Sequence, residues 1–308
     1  MTEPRIDLGD RSDPAPRGNG SKSRAAVLLM LVWVFLGAYK IDLVEAIHDG
    51  LKQHASEAAG LWGIAQLGSV ILFVALTWAL KRRIEHSDGE GPQFRRWWWA
   101  GAAVVVSVHL CFILLQRNGT DLPLWADVLG ALVIFVGMLL ILLSGLNADP
   151  ATLVSSTRRS QRPRDWARAC SAFPIAAGTL VLFIAEALWF PFDVHDGVVK
   201  DDFFHEILTF IPLLLIALGI ELNFFRRREA ANRSDGDGNA PDPVLRAAPI
   251  VTGILLVVAI LLAASTLTYD HSAAMAAWHV YFAFAVSVQA STTGLASVLG
   301  LVFATSLE

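Results

Sequence analysis

The sequence is short of charge and of cysteine. Charged residues make up 17% of its 308 positions, whereas soluble domains usually carry about 25%. Two cysteines, Cys111 and Cys170, cannot build a disulfide framework. No phosphate-binding glycine loop, nucleophile elbow or zinc-protease helix motif occurs. These absences exclude a disulfide-rich secreted domain and the common soluble ATPases and hydrolases.

Long apolar segments take the place of the missing charge. Hydrophobic residues make up 55% of the chain, and its mean hydropathy is +0.52. A transmembrane helix needs about 20 mainly apolar residues. Eight segments meet that length, the last of them with a possible break at 291–294: 25–47, 58–80, 97–116, 124–146, 171–192, 205–225, 247–268 and 274–305. The sequence therefore predicts an all-α membrane protein with eight transmembrane helices.

Lysine and arginine alternate between the two sides of these segments. Five precede the first segment, and five lie in each loop that follows the second, fourth and sixth. The loops after the odd-numbered segments carry one, one, one and none. Positive loops stay in the cytoplasm, so we expect both termini there. Arginine greatly outnumbers lysine and alanine is abundant, which favours a bacterial plasma membrane.

The two halves of the chain share motifs at a constant offset of 147 residues. His48-Asp49-Gly50 matches His195-Asp196-Gly197, and the glycine-rich stretch after Ser87 matches the one after Ser234. We predict a disordered cytoplasmic tail (1–24) and two four-helix units (25–146 and 171–308) joined by a cytoplasmic linker (147–170). Each unit has an even number of helices, so the repeats would be parallel.

Ionisable residues inside the segments collect towards the extracytoplasmic side. Charges within a membrane are costly and are candidates for function. The candidate substrate or ion site consists of these five: Lys40, Asp42, Glu45, Asp127 and Glu186. At the offset of 147, Glu186 aligns with Tyr39, beside Lys40, so we expect a charge from each half to meet near the axis. An ion pair there would reduce the cost of burial.

A second candidate site involves histidine. His205-Glu206 and His279 lie at similar depth in the sixth and eighth segments, where they could hold haem or a divalent metal. In topology the chain resembles the haem A synthases, which also have two four-helix units with histidines at the outer ends of even-numbered helices. Phe204-His205-Glu206 and Trp278-His279 carry this resemblance. The first half departs from it, since Leu61-Trp62-Gly63 opens the second segment and Asp127 stands in the fourth, so the resemblance implies topology alone.

Several functions remain open on this evidence. The leading interpretation is a proton- or cation-coupled transporter, or an ion-conducting protein, with an acidic and histidine-rich extracytoplasmic vestibule. The alternatives are a membrane enzyme that uses outer carboxylates on a lipid or isoprenoid substrate, a haem or metal protein, and a non-catalytic subunit or assembly factor. The expected partners are the lipid bilayer and a small ion, proton or lipid-like substrate. Nucleic acid is not expected, because orientation already accounts for the arginine-rich loops.

Overall fold

A computed structural model of the chain describes residues 19–52, 59–88, 94–117, 123–153, 162–189, 201–234, 242–268 and 274–306. Span one comprises Asn19–Leu31, a π-helical segment Val32–Gly37, and Ala38–Lys52. Spans two to eight follow in chain order as Ala59–Asp88, Arg95–Arg117, Leu124–Gly145, Arg162–Trp189, Asp201–Ser234, Ala247–Thr266 and Ala274–Ser306. Short 3₁₀ turns, Pro150–Leu153 and Pro243–Arg246, precede spans five and seven. The described residues contain no strand.

All eight described spans are long and apolar enough to cross a membrane, which confirms the predicted fold class. Large apolar side chains are exposed on the outside of the bundle, among them Ile64, Phe173, Leu213 and Leu261. Soluble monomers rarely expose contiguous apolar surface on this scale. A lipid bilayer is therefore the environment that these side chains fit.

Span eight is continuous through the polar residues 291–294, where the sequence allows a break. The hydroxyl of Thr292 donates to the backbone carbonyl of Val288. The hydroxyl of Ser297 donates to the backbone carbonyl of Thr293 at 2.8 Å. Such bonds satisfy polar side chains within their own helix. The stretch is polar without interrupting the helix.

The two halves of the bundle pack differently. Span one lies mainly against span two, whereas span five lies mainly against span eight. Identical packing in the two units would have set span five against span six. The structure thus does not confirm the internal repeat, which stays a prediction from the sequence.

Spans three and four cross closely at two glycines. A Cβ atom on Gly101 would lie 2.5 Å from the carbonyl oxygen of Gly137, and one on Gly137 would lie 3.0 Å from that of Gly101. Small residues at such crossings let membrane helices approach each other. Span one also joins span four, because the indole Nε1 of Trp33 donates to the carbonyl of Met138 at 2.7 Å.

At one end of the bundle, buried cations hold the carbonyl end of span four. The guanidinium of Arg168, in span five, donates to the carbonyls of Leu146 at 3.1 Å and Asn147 at 3.2 Å, and to the carboxylate of Asp242 at 2.6 Å. Lys81, in span two, donates to the carbonyl of Ser144 at 2.7 Å. Both cations match the negative end of the helix dipole. We call this the Arg-rich end, and the opposite end the Arg-poor end.

The first prediction concerns the crossing of spans three and four. Gly101→Ala should destabilise the protein by about 1–3 kcal/mol, because the added methyl group meets backbone that cannot move aside. Thermal unfolding in detergent measures the effect. Gly219→Ala is the control: no atom lies within 4 Å of its Cβ position, so better helix propensity should leave stability unchanged or raised. Equal behaviour of the two variants would contradict the close crossing.

The second prediction concerns Arg168, which is 1% exposed. Arg168→Met keeps the side-chain length but removes the donor of two carbonyls and the nearest cation of Asp242, so we expect a loss of about 3 kcal/mol or more. Thermal unfolding of the purified protein measures it. Ser171→Ala is the control, since that hydroxyl bonds only the carbonyl of Arg168 in its own helix.

The same contact predicts a dependence on pH. Burial alone would raise the pKa of Asp242, but the hydrogen bond and charge of Arg168, with help from Lys22, bring that pKa below its ordinary 3.8. Because the pKa of Asp242 is lower in the folded protein, this contact contributes its full stability at pH values above 3.8. That stability is lost as the pH falls through the pKa of Asp242 in the folded protein. Asp242→Asn should weaken this acid sensitivity. An unchanged acid transition would contradict the assignment.

Candidate functional site

Two carboxyl groups and an ammonium group lie together at the Arg-poor end. Lys40 and Asp42 come from the second half of span one, and Glu186 comes from the last turns of span five. The charged groups of span one and of span five lie close enough to interact electrostatically. Lys40 is 2% exposed, whereas Asp42 and Glu186 are half-buried. We call these three residues, with Tyr281 of span eight, the outer cluster.

Tyr281 joins the two carboxyl groups. Its hydroxyl donates to Oε1 of Glu186 at 2.9 Å, and the Asp42 carboxyl lies close enough to the same hydroxyl to interact with it. Tyr281 is 6% exposed and lies at the centre of spans one, five and eight. Its ring packs edge-on against Trp278 and Phe282, which fixes its position.

The shared hydroxyl limits how many protons the cluster can lose. A tyrosine hydroxyl has one hydrogen, so it donates to one carboxylate at a time. The second carboxyl can bond the tyrosine oxygen only if it carries a proton of its own. One charged carboxylate, one protonated carboxyl and the Lys40 ammonium sum to zero, which is the least costly state in a weakly polar interior. The arrangement therefore suits a pair that holds one exchangeable proton.

Lys40 makes its direct contacts away from the carboxylates. Its ammonium donates to the carbonyl of Gly37 at 2.7 Å and lies 5.6 Å from the centre of the Phe73 ring. Within the described residues it makes no direct ion pair, so the ion pair expected from the sequence is replaced by interaction over a longer distance. Gly37 ends the π-helical segment of span one. Such segments are rare and occur mostly at functional sites.

A chain of neutral hydrogen bonds leads from this level towards the middle of the membrane. Tyr39 donates to Oε1 of Gln289 at 2.8 Å, and Nε2 of Gln289 donates to the hydroxyl of Thr179 at 2.8 Å. Thr179 in turn donates to the carbonyl of Ile175 at 3.0 Å. Along span five, Thr179 lies about 16 Å from Arg168 and Glu186 about 27 Å, at 1.5 Å per residue. We call Tyr39, Gln289 and Thr179 the central chain.

Spans five and eight pack closely at the level of the central chain. A Cβ on Gly178 would clash with the hydroxyl of Thr293 and would lie 2.8 Å from the carbonyl of Gln289. Spans five and eight therefore touch backbone to side chain at this level. Buried polar side chains continue past this contact towards the Arg-rich end, where the hydroxyls of Thr252 and Ser297 lie 3.2 Å apart.

The structure brings together three of the five residues proposed for the ion site: Lys40, Asp42 and Glu186. Glu45 lies one turn further along span one and is half-buried. Asp127 lies in the first turn of span four. No hydrogen bond or ion pair of the described residues connects Asp127 to the outer cluster.

The histidine candidates have separate surroundings. His205 and Glu206 are exposed on span six, whereas His279 is half-buried and its Nε2 lies 2.8 Å from the hydroxyl of Ser265. Among the described residues, no group of three or more His, Cys, Asp or Glu side chains could hold a metal ion. The geometry thus gives the haem or metal interpretation no further support.

Sequence reasoning missed the neutral members of the site. Tyr281 and Gln289 lie on a face of span eight with Thr293 and Ser297, at spacings of eight, four and four residues. All four are buried. A stripe of polar residues at multiples of four along an apolar helix was the available signal. This signal is weak because a neutral polar side chain costs less to bury in a membrane than an ionisable one does.

No protein-family model, curated protein or solved structure matches the chain. The site is therefore interpreted from its own geometry.

The third prediction tests the central chain. Tyr39→Phe leaves the side-chain amide oxygen Oε1 of Gln289 without a donor. Gln289→Leu leaves the Tyr39 hydroxyl without an acceptor. Hydrogen bonds between membrane helices average about 0.6 kcal/mol and reach about 1.7 kcal/mol, and we expect the upper part of that range. The double variant should lose less stability than the sum of the single variants. Additive losses in thermal unfolding would contradict a direct bond.

Proposed function

We propose that the chain is a proton-coupled membrane transporter whose proton-binding site is the outer cluster. The observation that supports this most directly is the Tyr281 hydroxyl between the carboxyl groups of Asp42 and Glu186. Two carboxyls that share a donor titrate as one unit. Such a unit can take up and release a single proton without a change of fold.

A proton fits this site better than a metal cation. The Lys40 ammonium acts on both carboxyls and would repel a resident cation. Metal ions also need several oxygen ligands at once, and the Tyr281 hydroxyl already bonds the Glu186 carboxyl. A proton needs only one acceptor. The orientation expected from the arginine-rich loops would place this site towards the extracytoplasmic side of a plasma membrane, with both termini in the cytoplasm.

The packing of spans five and eight suits a site that opens to one side of the membrane at a time. The outer cluster and the central chain lie at neighbouring levels of spans one, five and eight, and spans five and eight touch at Gly178 and Thr293. The described arrangement would thus load a proton from the Arg-poor end. Release to the other side would require spans five and eight to separate at Gly178. The coupled substrate would occupy the space next to the same carboxyls.

The enzyme alternative has less support. An enzyme that uses the outer carboxylates would need Glu45, Asp127 and Glu186 to line one cavity open to lipid. Among the described residues, no bond links Asp127 to Glu186, and no observation favours a particular lipid reaction.

The fourth prediction is the test of this proposal. In proteoliposomes with a potassium diffusion potential, proton movement reported by a pH-sensitive dye should fall about tenfold or more in Glu186→Gln and in Asp42→Asn. Loss of about one hydrogen bond to a charged group is sufficient for a change of that size. Glu206→Gln is the matched control, because it removes the same charge from an exposed position at the same end.

A second measurement applies without a transported substrate. Infrared difference spectra across a pH titration should show one protonated carboxyl band that shifts in Tyr281→Phe and is lost in Glu186→Gln or Asp42→Asn. A titration without such a band, or a band unchanged in all three variants, would rule out the proposed proton site.

A further inference from the structure

The Arg-rich end contains an aromatic cluster with two arginines on it. Trp78 of span two packs against Trp98 and Trp99 of span three, with ring centres 4.7 and 5.4 Å away. The guanidinium carbons of Arg82 and Arg95 lie 5.1 and 5.5 Å from the centre of the Trp78 ring. We call these five residues the indole–arginine cluster. It is independent of the outer cluster and of the proposed transport.

The cations here outnumber their acidic partner. Glu85 binds both Lys81 at 3.0 Å and Arg95 at 3.1 Å. Arg82 has no ion-pair partner among the described residues. Two cations therefore share one carboxylate and Arg82 adds a third positive charge, so the cluster keeps an excess of positive charge. The positive-inside rule explains basic loops in general. It does not explain why two guanidinium groups lie on one indole.

Two buried donors in the cluster lack partners. The indole Nε1 of Trp98 and the Nε of Arg95 are both buried with no hydrogen-bond acceptor among the described residues. The whole Trp98 side chain is 1% exposed. A buried donor without an acceptor costs about 1–3 kcal/mol. An acceptor from outside the chain would remove that cost at both atoms.

The helix that carries these donors adds to the positive potential. Arg95 and Trp98 lie in the first turn of span three, three residues apart on one face, and no acidic residue is present in that turn. The N-terminus of a helix attracts anions through its dipole and its amide groups. Trp99, which is 56% exposed, packs against both Trp78 and Trp98.

We propose that the indole–arginine cluster is a binding site for a phosphate group, most simply that of an anionic phospholipid headgroup. Phosphate oxygens accept from guanidinium and indole donors at once. Basic pockets between helices on the cytoplasmic side suit anionic headgroups. The exposed indoles of Trp97 and Trp99 would lie at the level of the glycerol and upper acyl chain.

The fifth prediction tests this site on the full chain purified in detergent. Phosphatidylglycerol should raise the thermal unfolding temperature more than phosphatidylcholine, and native mass spectrometry should show that it is retained preferentially. Arg82→Gln should reduce its retention about fivefold, the size expected for one basic residue at a membrane surface. Trp98→Phe keeps the ring and removes the donor, so it should also reduce retention.

Arg96→Gln is the matched control. Arg96 is exposed and carries the same charge one residue from Arg95, but it makes no contact with Trp78. Retention near that of the unmodified chain supports a specific site. Equal losses in Arg82→Gln and Arg96→Gln would show diffuse attraction only and overturn the proposal, as would equal retention of the two lipids.

Inorganic phosphate distinguishes the two sources of the ligand. If millimolar phosphate reproduces the stabilisation and Trp98→Phe abolishes it, the site takes free phosphate. If phosphate has no effect while phosphatidylglycerol does, the headgroup is the ligand. Stabilisation by either compound that survives both Arg82→Gln and Trp98→Phe would overturn the assignment to this cluster.

Discussion

The interior of a bilayer offers no water to a buried polar group, and the whole bundle is arranged around that constraint. Every backbone amide must be satisfied within the protein, which is why the described spans are helices from end to end. Where a helix ends inside the bundle, a side chain must replace water. Arg168 does this for span four and holds Asp242 with the same guanidinium. Spans four and five and the turn before span seven thus depend on one buried residue.

The same constraint separates what the sequence could predict from what it could not. Spans follow from apolar length, so their number was predictable. The start of span five was set at 171, yet its helix begins at Arg162, because Arg168 resembles a loop residue until its partner is known. That partner, Asp242, lies 74 residues away. Such a pair is invisible to any local pattern.

The candidate site shows the same division. Lys40, Asp42 and Glu186 were found because a charge inside an apolar segment is conspicuous. The alignment of Glu186 beside Lys40 rests on the proposed repeat, which the structure does not confirm. Tyr281 and Gln289 were missed because neutral side chains cost little alone. Their importance comes from contacts across helices, which depend on how spans one, five and eight pack. That packing does not follow the proposed repeat.

The two ends of the bundle use opposite means to balance buried charge. At the Arg-rich end, Arg168 and Lys81 are held by backbone carbonyls and by the carboxylates of Asp242 and Glu85, so both cations act as fixed supports. At the Arg-poor end, two carboxyls face one ammonium, and only a proton can make up the difference. A proton exchanges with water, whereas a carbonyl does not. The proposed proton transport would therefore be coupled to the Arg-poor end, whereas Arg168 fixes span five at the Arg-rich end.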